Sequence, residues 1–209
     1  MIKINIEKKI GGRYGNLELK VDTAFHLNAV TRILGPSGIG KTTLLKILAG
    51  LILPDCGKIT VEDNVWFDQT SSYSKKIQDR QVGFVFQDYA LFPNMTVEGH
   101  LRFGTGDDAY ISRLLELGEL AHLKNRFPKQ LSGGQQQRLA ILRALCTKPK
   151  LLLMDEPFTA LDIELKSRLT VKLNQLFSEQ QITVILVSHQ DNELGENNSY
   201  CFRLTSQED

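Results

Sequence analysis

No stretch of this 209-residue chain holds the ~18 consecutive apolar residues that a helix needs to cross a bilayer, so any service to a membrane is expected from outside the lipid. One-signed charge is missing as well. With 25 Lys and Arg against 24 Asp and Glu the formal charge is +1, which excludes the global field that draws a protein onto nucleic acid or anionic lipid. Partners must then be recognised locally, and no nucleic acid is expected among them. Cysteine is scarce: Cys56, Cys146 and Cys201 are odd in number, far apart and without metal-ligand spacing, the pattern of reduced core thiols in a cytosolic protein. Internal repeats, low-complexity tracts and linkers are absent. The first nine residues alternate Ile2, Ile4 and Ile6 with polar neighbours, which reads as a half-buried strand rather than an export signal.

What is there suffices for one globular unit with an inserted subdomain, since 42% of residues are hydrophobic and a chain of this length buries a substantial core. Alternation returns at Leu17, Leu19 and Val21, with Gly11-Gly12 and Gly15-Asn16 as turn signals, so the chain opens as a small antiparallel β-layer. The pattern then changes to strand, loop, helix: Val30 to Leu34 is a short apolar run, a glycine-rich segment follows, and Thr42 to Ala49 has helical spacing before the stop signal Gly50. Val82 to Phe86, Leu151 to Met154 and Thr183 to Val187 read as further buried strands, and runs apolar on both faces imply a parallel sheet covered by helices. Between Val82–Phe86 and Leu151–Met154 lies helical material, read as an inserted subdomain: Ile111 to Leu117 and Gln135 to Cys146 have helical spacing, and Ala121 to Phe127 is ambiguous. Ser71 to Lys76 reads as a polar loop.

Gly35-Pro36-Ser37-Gly38-Ile39-Gly40-Lys41-Thr42 matches the phosphate-binding P-loop pattern in its proper context, between a buried strand and a helix N-terminus. Glycines let successive backbone N–H groups point inward around phosphates, and the helix dipole adds positive potential. Lys41 is expected to reach the β- and γ-phosphates, the Thr42 hydroxyl to ligate Mg²⁺, and Thr43 to join the phosphate-binding set. A nucleotide is expected there, with ATP and GTP both open on these residues alone.

A second glycine signal, Leu131-Ser132-Gly133-Gly134-Gln135, has a plain structural reading, because Ser132 and Gln135 have the spacing of a capping box. That does not account for Gly133 and Gly134 in a first helical turn, where glycine is a poor helix former; a phosphate approaching exposed amides would. Together with the P-loop, this pentapeptide resembles the ABC ATPases, in which it is the signature motif and completes the nucleotide site of the opposite subunit. The resemblance implies an α/β P-loop NTPase core with a parallel sheet, an N-terminal antiparallel β-layer and an inserted helical subdomain. On this reading residues 1–209 form one ABC ATPase domain, with 1–86 and 149–209 as nucleotide-binding core and 87–148 as helical subdomain. No C-terminal regulatory domain of the kind common in the family is expected.

The resemblance extends position by position. Leu151-Leu152-Leu153-Met154-Asp155-Glu156 looks like the Walker B strand, in which Asp155 steadies Mg²⁺ and Glu156 polarises the attacking water; adjacent acids at a strand end would repel each other without a cation nearby. Gln87 resembles the Q-loop glutamine, a sensor of Mg²⁺ and γ-phosphate. Thr159-Ala160-Leu161-Asp162 looks like the D-loop that crosses the dimer interface, although Asp162 equally suits a helix N-cap. His189, after Ser188, stands where the family has its switch histidine, and Tyr14 resembles the aromatic that stacks on adenine. No role is assigned to His26, His100 or His122.

Phe86 to Val97 looks like the groove with which importer ATPases receive the coupling helix of a membrane permease, and Tyr89, Leu91 and Phe92 would make a docking patch there. The family often has asparagine where His100 stands. The resemblance is nearest to the molybdate and sulfate importer group. It implies a homodimer on ATP binding, a permease partner, an indirect link to a substrate-binding protein and a place on the inner face of the cell membrane. The alternative within the family is a short ABC ATPase that drives a non-import mechanotransmission complex in the cell envelope.

Overall fold

The computed structural model describes residues 1–12, 15–188, 194 and 199–205, with residues 12, 15 and 16 described in backbone only. The expected positions of Tyr14 and His189 lie outside the described residues. Two five-stranded sheets organise the chain. The first opens with β1 (Ile2–Gly12) and β2 (Gly15–Phe25), antiparallel in a register that sets Gly12 opposite Gly15. Beyond the hairpin come β3 (Val30–Leu34) and α1 (Lys41–Ala49). Three strands then return to the first sheet: β4 (Cys56–Val61), β5 (Asn64–Asp68) and β6 (Tyr73–Ser74), completing the order β2-β1-β4-β5-β6. The β-layer is thus wider than the alternation at the N-terminus announced, and the segment read as a polar loop contributes β6, whose Ser74 pairs with Phe67.

β7 (Val82–Val85), β8 (Leu151–Asp155), β9 (Thr183–Val187) and β10 (Ser199–Arg203) join β3 in a parallel sheet of order β10-β3-β9-β8-β7. Every residue of β8 and β9 is buried, as the two-sided apolar runs require. Alternate residues serve different cores. Leu151, Leu153, Ile185 and Val187 face one that includes α1 and the antiparallel sheet, whereas Leu152, Met154, Val184 and Leu186 face one shared with the helical segment. The cysteines do not follow the expectation of core thiols as a set. Cys146 is buried, but Cys56 and Cys201 lie exposed on β4 and β10, the latter an edge strand; all three are free thiols.

The helical segment contains α2 (Val97–Arg102), α3 (Asp108–Leu117) and α4 (Gly133–Leu145), and α5 (Ile163–Gln180) follows β8. Each begins at a side-chain cap: Thr96, Asp107, Ser132 and Asp162 accept from the amides of Gly99, Tyr110, Gln135 and Leu165. The Ser132–Gln135 box is reciprocal, with Gln135 Oε1 accepting from Ser132 N at 2.8 Å. The ambiguous stretch from Ala121 resolves into a 3₁₀ turn, Ala121–Leu123. Leu114, Leu139, Leu142 and Leu145 are fully buried in this segment, each contributing about 1.5–3 kcal/mol by leaving water. No helix among the described residues is long and apolar enough to cross a membrane.

Candidate nucleotide site

The candidate site lies where the parallel strands β3, β9, β8 and β7 end side by side, the end at which open α/β sheets bind ligands. The chain leaving β3 becomes the P-loop. Gly40, the N-cap of α1, has φ 103°, and a Cβ there would stand 3.1 Å from Ile10 Cδ1 and 3.3 Å from Leu19 Cδ1, so both the backbone angle and the β-layer packed over the loop call for glycine. Lys41 is buried at the first position of α1, and its Nζ donates to the carbonyls of Gly35 (2.7 Å) and Pro36 (2.8 Å). A cation is thereby held inside the curve of the loop, next to the positive end of α1. Ser37, Gly38, Ile39 and Thr43 lie along the same loop and first helical turn.

The opposite end of α1 carries a residue that sequence reasoning missed. Arg80 is 3% exposed, and its guanidinium donates to the carbonyls of Ile47 (3.1 Å), Leu48 (2.9 Å), Lys75 (3.1 Å) and Trp66 (3.3 Å), with its plane over the Trp66 ring. It fixes the C-terminus of the P-loop helix to the antiparallel sheet and complements the negative end of the helix dipole. Burial lowers its pKa, yet an arginine keeps its charge. The sequence offered only an arginine two residues before an apolar strand.

β8 brings the two acids into the site. Asp155, 3% exposed, accepts a hydrogen bond from the Thr42 hydroxyl, while its Oδ1 has no partner among the described residues. Burial raises its pKa and neighbouring Glu156 raises it further, against the opposing pull of the Thr42 hydrogen bond, Lys46 and Lys41. A buried carboxylate oxygen left open beside a P-loop hydroxyl fits a hard cation, which oxygen donors satisfy. Among the described residues no group of three or more His, Cys, Asp or Glu gathers as a protein-only metal site. Any cation would therefore take its remaining oxygens from phosphates and water.

Glu156 stands one residue beyond β8 with φ 50°, left-handed backbone that is costly for a side chain with a Cβ. Its N–H donates to Val187 O (3.1 Å), and its carboxylate Oε2 accepts from Gln87 Nε2 at 3.4 Å. Gln87 follows β7 by two residues, so the structure brings Lys41, Thr42, Asp155, Glu156 and Gln87 to neighbouring strand ends. Ser132, Gly133, Gly134 and Gln135 belong to a different surface, the exposed first turn of α4, beside Ala160 and Leu161. A Cβ on Gly133 would meet only Ala160 Cβ, at 3.9 Å, whereas one on Gly134 would lie 3.0 Å from Ala160 O. The two glycines therefore answer different needs. Gly134 is required by the chain's own packing, and Gly133 leaves the amide end of α4 open to the exterior.

In the segment expected to receive a permease, Phe92 is exposed, while Tyr89 and Leu91 are half-buried against the helical core. Tyr89 and Ala90 have φ 63° and 45°, and Arg143 donates to both their carbonyls while standing over the Phe92 ring. His100, given no role from sequence, is fully buried: its Nε2 accepts from Phe92 N (2.9 Å) and its Nδ1 lies 2.7 Å from Thr96 O. Such an arrangement suits the neutral ring, and burial lowers its pKa.

A parallel sheet with a phosphate-binding loop and paired acids at its C-terminal ends defines a P-loop nucleotide-binding protein. The family model described as ABC transporter matches residues 19–159, and the chain belongs to that family as an ABC ATPase domain. It is 42% identical over 204 residues to a sulfate/thiosulfate import ATP-binding protein of Mesostigma viride, covering 92% of this chain and 55% of that one. Identity to a probable sulfate/thiosulfate import ATP-binding protein of Chlorella vulgaris is 39%, covering 90% and 82%. A molybdenum import ATP-binding protein of Vibrio parahaemolyticus is 39% identical over 90% of this chain and 50% of its own. The chain thus spans about half the length of most of the curated relatives it matches. Among solved structures, a dimeric ATP-binding cassette in a post-hydrolysis state with ADP and Pi superposes with a TM-score of 0.81 at 31% identity, over 98% of this chain and 94% of the other.

Proposed function

We propose that this chain binds and hydrolyses Mg·ATP as the energy-supplying subunit of an importer, two copies closing head to tail around two nucleotides and driving a membrane permease. The observation that carries the reading is the convergence of Lys41, Thr42, Asp155, Glu156 and Gln87 on neighbouring strand ends, with an Asp155 Oδ1 that no described residue satisfies among them. The backbone amides of Gly35 and of residues 37–43, with Lys41, would hold the phosphates, and Thr42, Asp155 and Gln87 would hold Mg²⁺. When bound there, Mg²⁺ would supply positive charge to stabilise the phosphate oxygens. Glu156, kept ready by Gln87, orients a water and takes its proton as the water attacks the γ-phosphorus and the bond to the β-phosphate oxygen breaks.

Ser132, Gly133, Gly134 and Gln135 serve the partner copy's nucleotide, with Asp162 at the crossing. Tyr14 against adenine and His189 against the γ-phosphate complete the set. Residues 87–148 act as the helical subdomain that receives the permease, and the assembly sits on the inner face of the cell membrane, in contact with a substrate-binding protein only through that permease. The names of the relatives, importers of sulfate, thiosulfate and molybdenum, support an oxyanion as the solute. Phosphate release from ATP by the purified chain tests the reading. Turnover that requires Mg²⁺ and is lost in chelator is expected, and its absence both for the chain alone and for the chain with a reconstituted permease overturns the proposal.

A further inference from the structure

We infer that Gln137 is a positioning residue for hydrolysis, tying the first turn of α4 to the backbone that carries Glu156. The inference rests on the proposed roles of Glu156 and of the signature turn. Gln137 lies within the second turn of α4 and is 2% exposed, a costly place for an amide unless it is fully engaged. It is engaged on one short segment only. Its Nε2 donates to Glu156 O (3.2 Å) and to Thr159 Oγ1 (3.2 Å), and its Oε1 accepts from Ala160 N (2.9 Å). Thr159 Oγ1 also donates to Glu156 O at 3.4 Å, closing the ring.

Two further features make this more than loop satisfaction. Glu156 holds a left-handed backbone that persists only where its surroundings enforce it, and the enforcement comes from Val187 O on its N–H and from Gln137 on its carbonyl. The same segment packs against the signature turn itself, since a Cβ on Gly134 would press on Ala160 O at 3.0 Å and Leu161 Cδ2 at 3.3 Å. A shift of α4 when its open amide end meets the partner copy's phosphate is therefore transmitted, through one rigid amide, to the residue that aims the carboxylate in the chain's own site. Each site thus senses the occupancy of the other.

The test is steady-state ATP hydrolysis by Gln137→Met, which keeps the length of the side chain and removes its hydrogen bonds, beside Leu173→Ala as a destabilised control in the same core. A misaimed carboxylate predicts a fall in kcat of about 10- to 100-fold for Gln137→Met, with KM for ATP and nucleotide affinity within threefold of the parent and dependence on ATP concentration no longer cooperative. The control should lose melting temperature with kcat within twofold. Thr159→Val, on an exposed residue, is the second variant should Gln137→Met not fold, with kcat expected to fall by at least threefold. Turnover of the variants within twofold of the parent, or no lower than that of the control, overturns the inference. A parent chain without ATPase activity would remove the reading on which it stands, and is distinguished by failing before any variant is compared.

Discussion

Gln87 Nε2 lies 3.4 Å from Glu156 Oε2, so a residue two positions past β7 touches the carboxylate that stands just beyond the neighbouring strand β8. An amide that donates to a carboxylate oxygen fixes the direction in which that carboxylate points.

Replacing that carboxylate separates binding from turnover. Glu156→Gln is expected to slow hydrolysis by a general-base factor of about 10²–10⁴ while ATP affinity is retained. Light scattering should then show the variant passing from monomer to dimer on addition of Mg·ATP. Near-parental turnover would remove Glu156 from the role of base.

Lys41→Ala acts earlier in the cycle. The variant loses the buried ammonium held within the loop by Gly35 O and Pro36 O, so nucleotide binding itself weakens. A loss of about tenfold or more in affinity for a fluorescent ATP analogue is expected, consistent with the removal of one charged hydrogen bond worth about 1.5–3 kcal/mol. Unchanged affinity with reduced kcat would instead give Lys41 a purely catalytic part.

His100 predicts a pH dependence of stability. Burial holds its pKa below the ordinary 6.5, so the unfolded chain binds more protons than the folded one just below that value. Stability contributed by the neutral ring is complete above about pH 6.5 and declines as pH falls through the window beneath it. Arg143, close enough to oppose a second positive charge, acts in the same direction. Melting temperature followed from pH 8 to pH 5 should fall less steeply in His100→Asn than in the parent; parallel curves would show that His100 does not set the slope.

Arg80→Met should be costly for a residue outside the site. Up to four backbone carbonyls would lose a charged donor, and a destabilisation of about 2–4 kcal/mol is expected from chemical denaturation. Equal stability would mean that water or Lys75 takes over those carbonyls.

The fold was legible where a signal was local. Val30–Leu34 and Thr183–Val187 agree residue for residue with the apolar runs, and the P-loop carried its strand and helix with it. β4 to β6 were not foreseen, because Cys56–Val61 alternates weakly and a two-residue strand such as Tyr73–Ser74 is made by its partner, not by its own sequence. Gly50 was read as a helix stop and is one, with φ 84°, but it also gives Arg80 room, since a Cβ there would lie 2.8 Å from Arg80 Cζ. Within the site, the P-loop and the acids were visible as motifs. Arg80, His100 and Gln137 were not, because what distinguishes them is burial of a polar side chain, and burial depends on residues distant in the chain. Cys56 and Cys201 failed the opposite way: small thiols usually sit inside, yet both are exposed, Cys56 at the first residue of the inner strand β4 and Cys201 on the edge strand β10.

The division of the parallel sheet between two cores makes adjacent residues report on different halves of the molecule. Leu152 and Leu153 are neighbours in β8, but the first faces the helical segment and the second the P-loop helix and β-layer. Methyl resonances from this single pair can therefore be read as two independent gauges, one for motion of the helical segment and one for motion of the P-loop helix, through a strand that itself need not move.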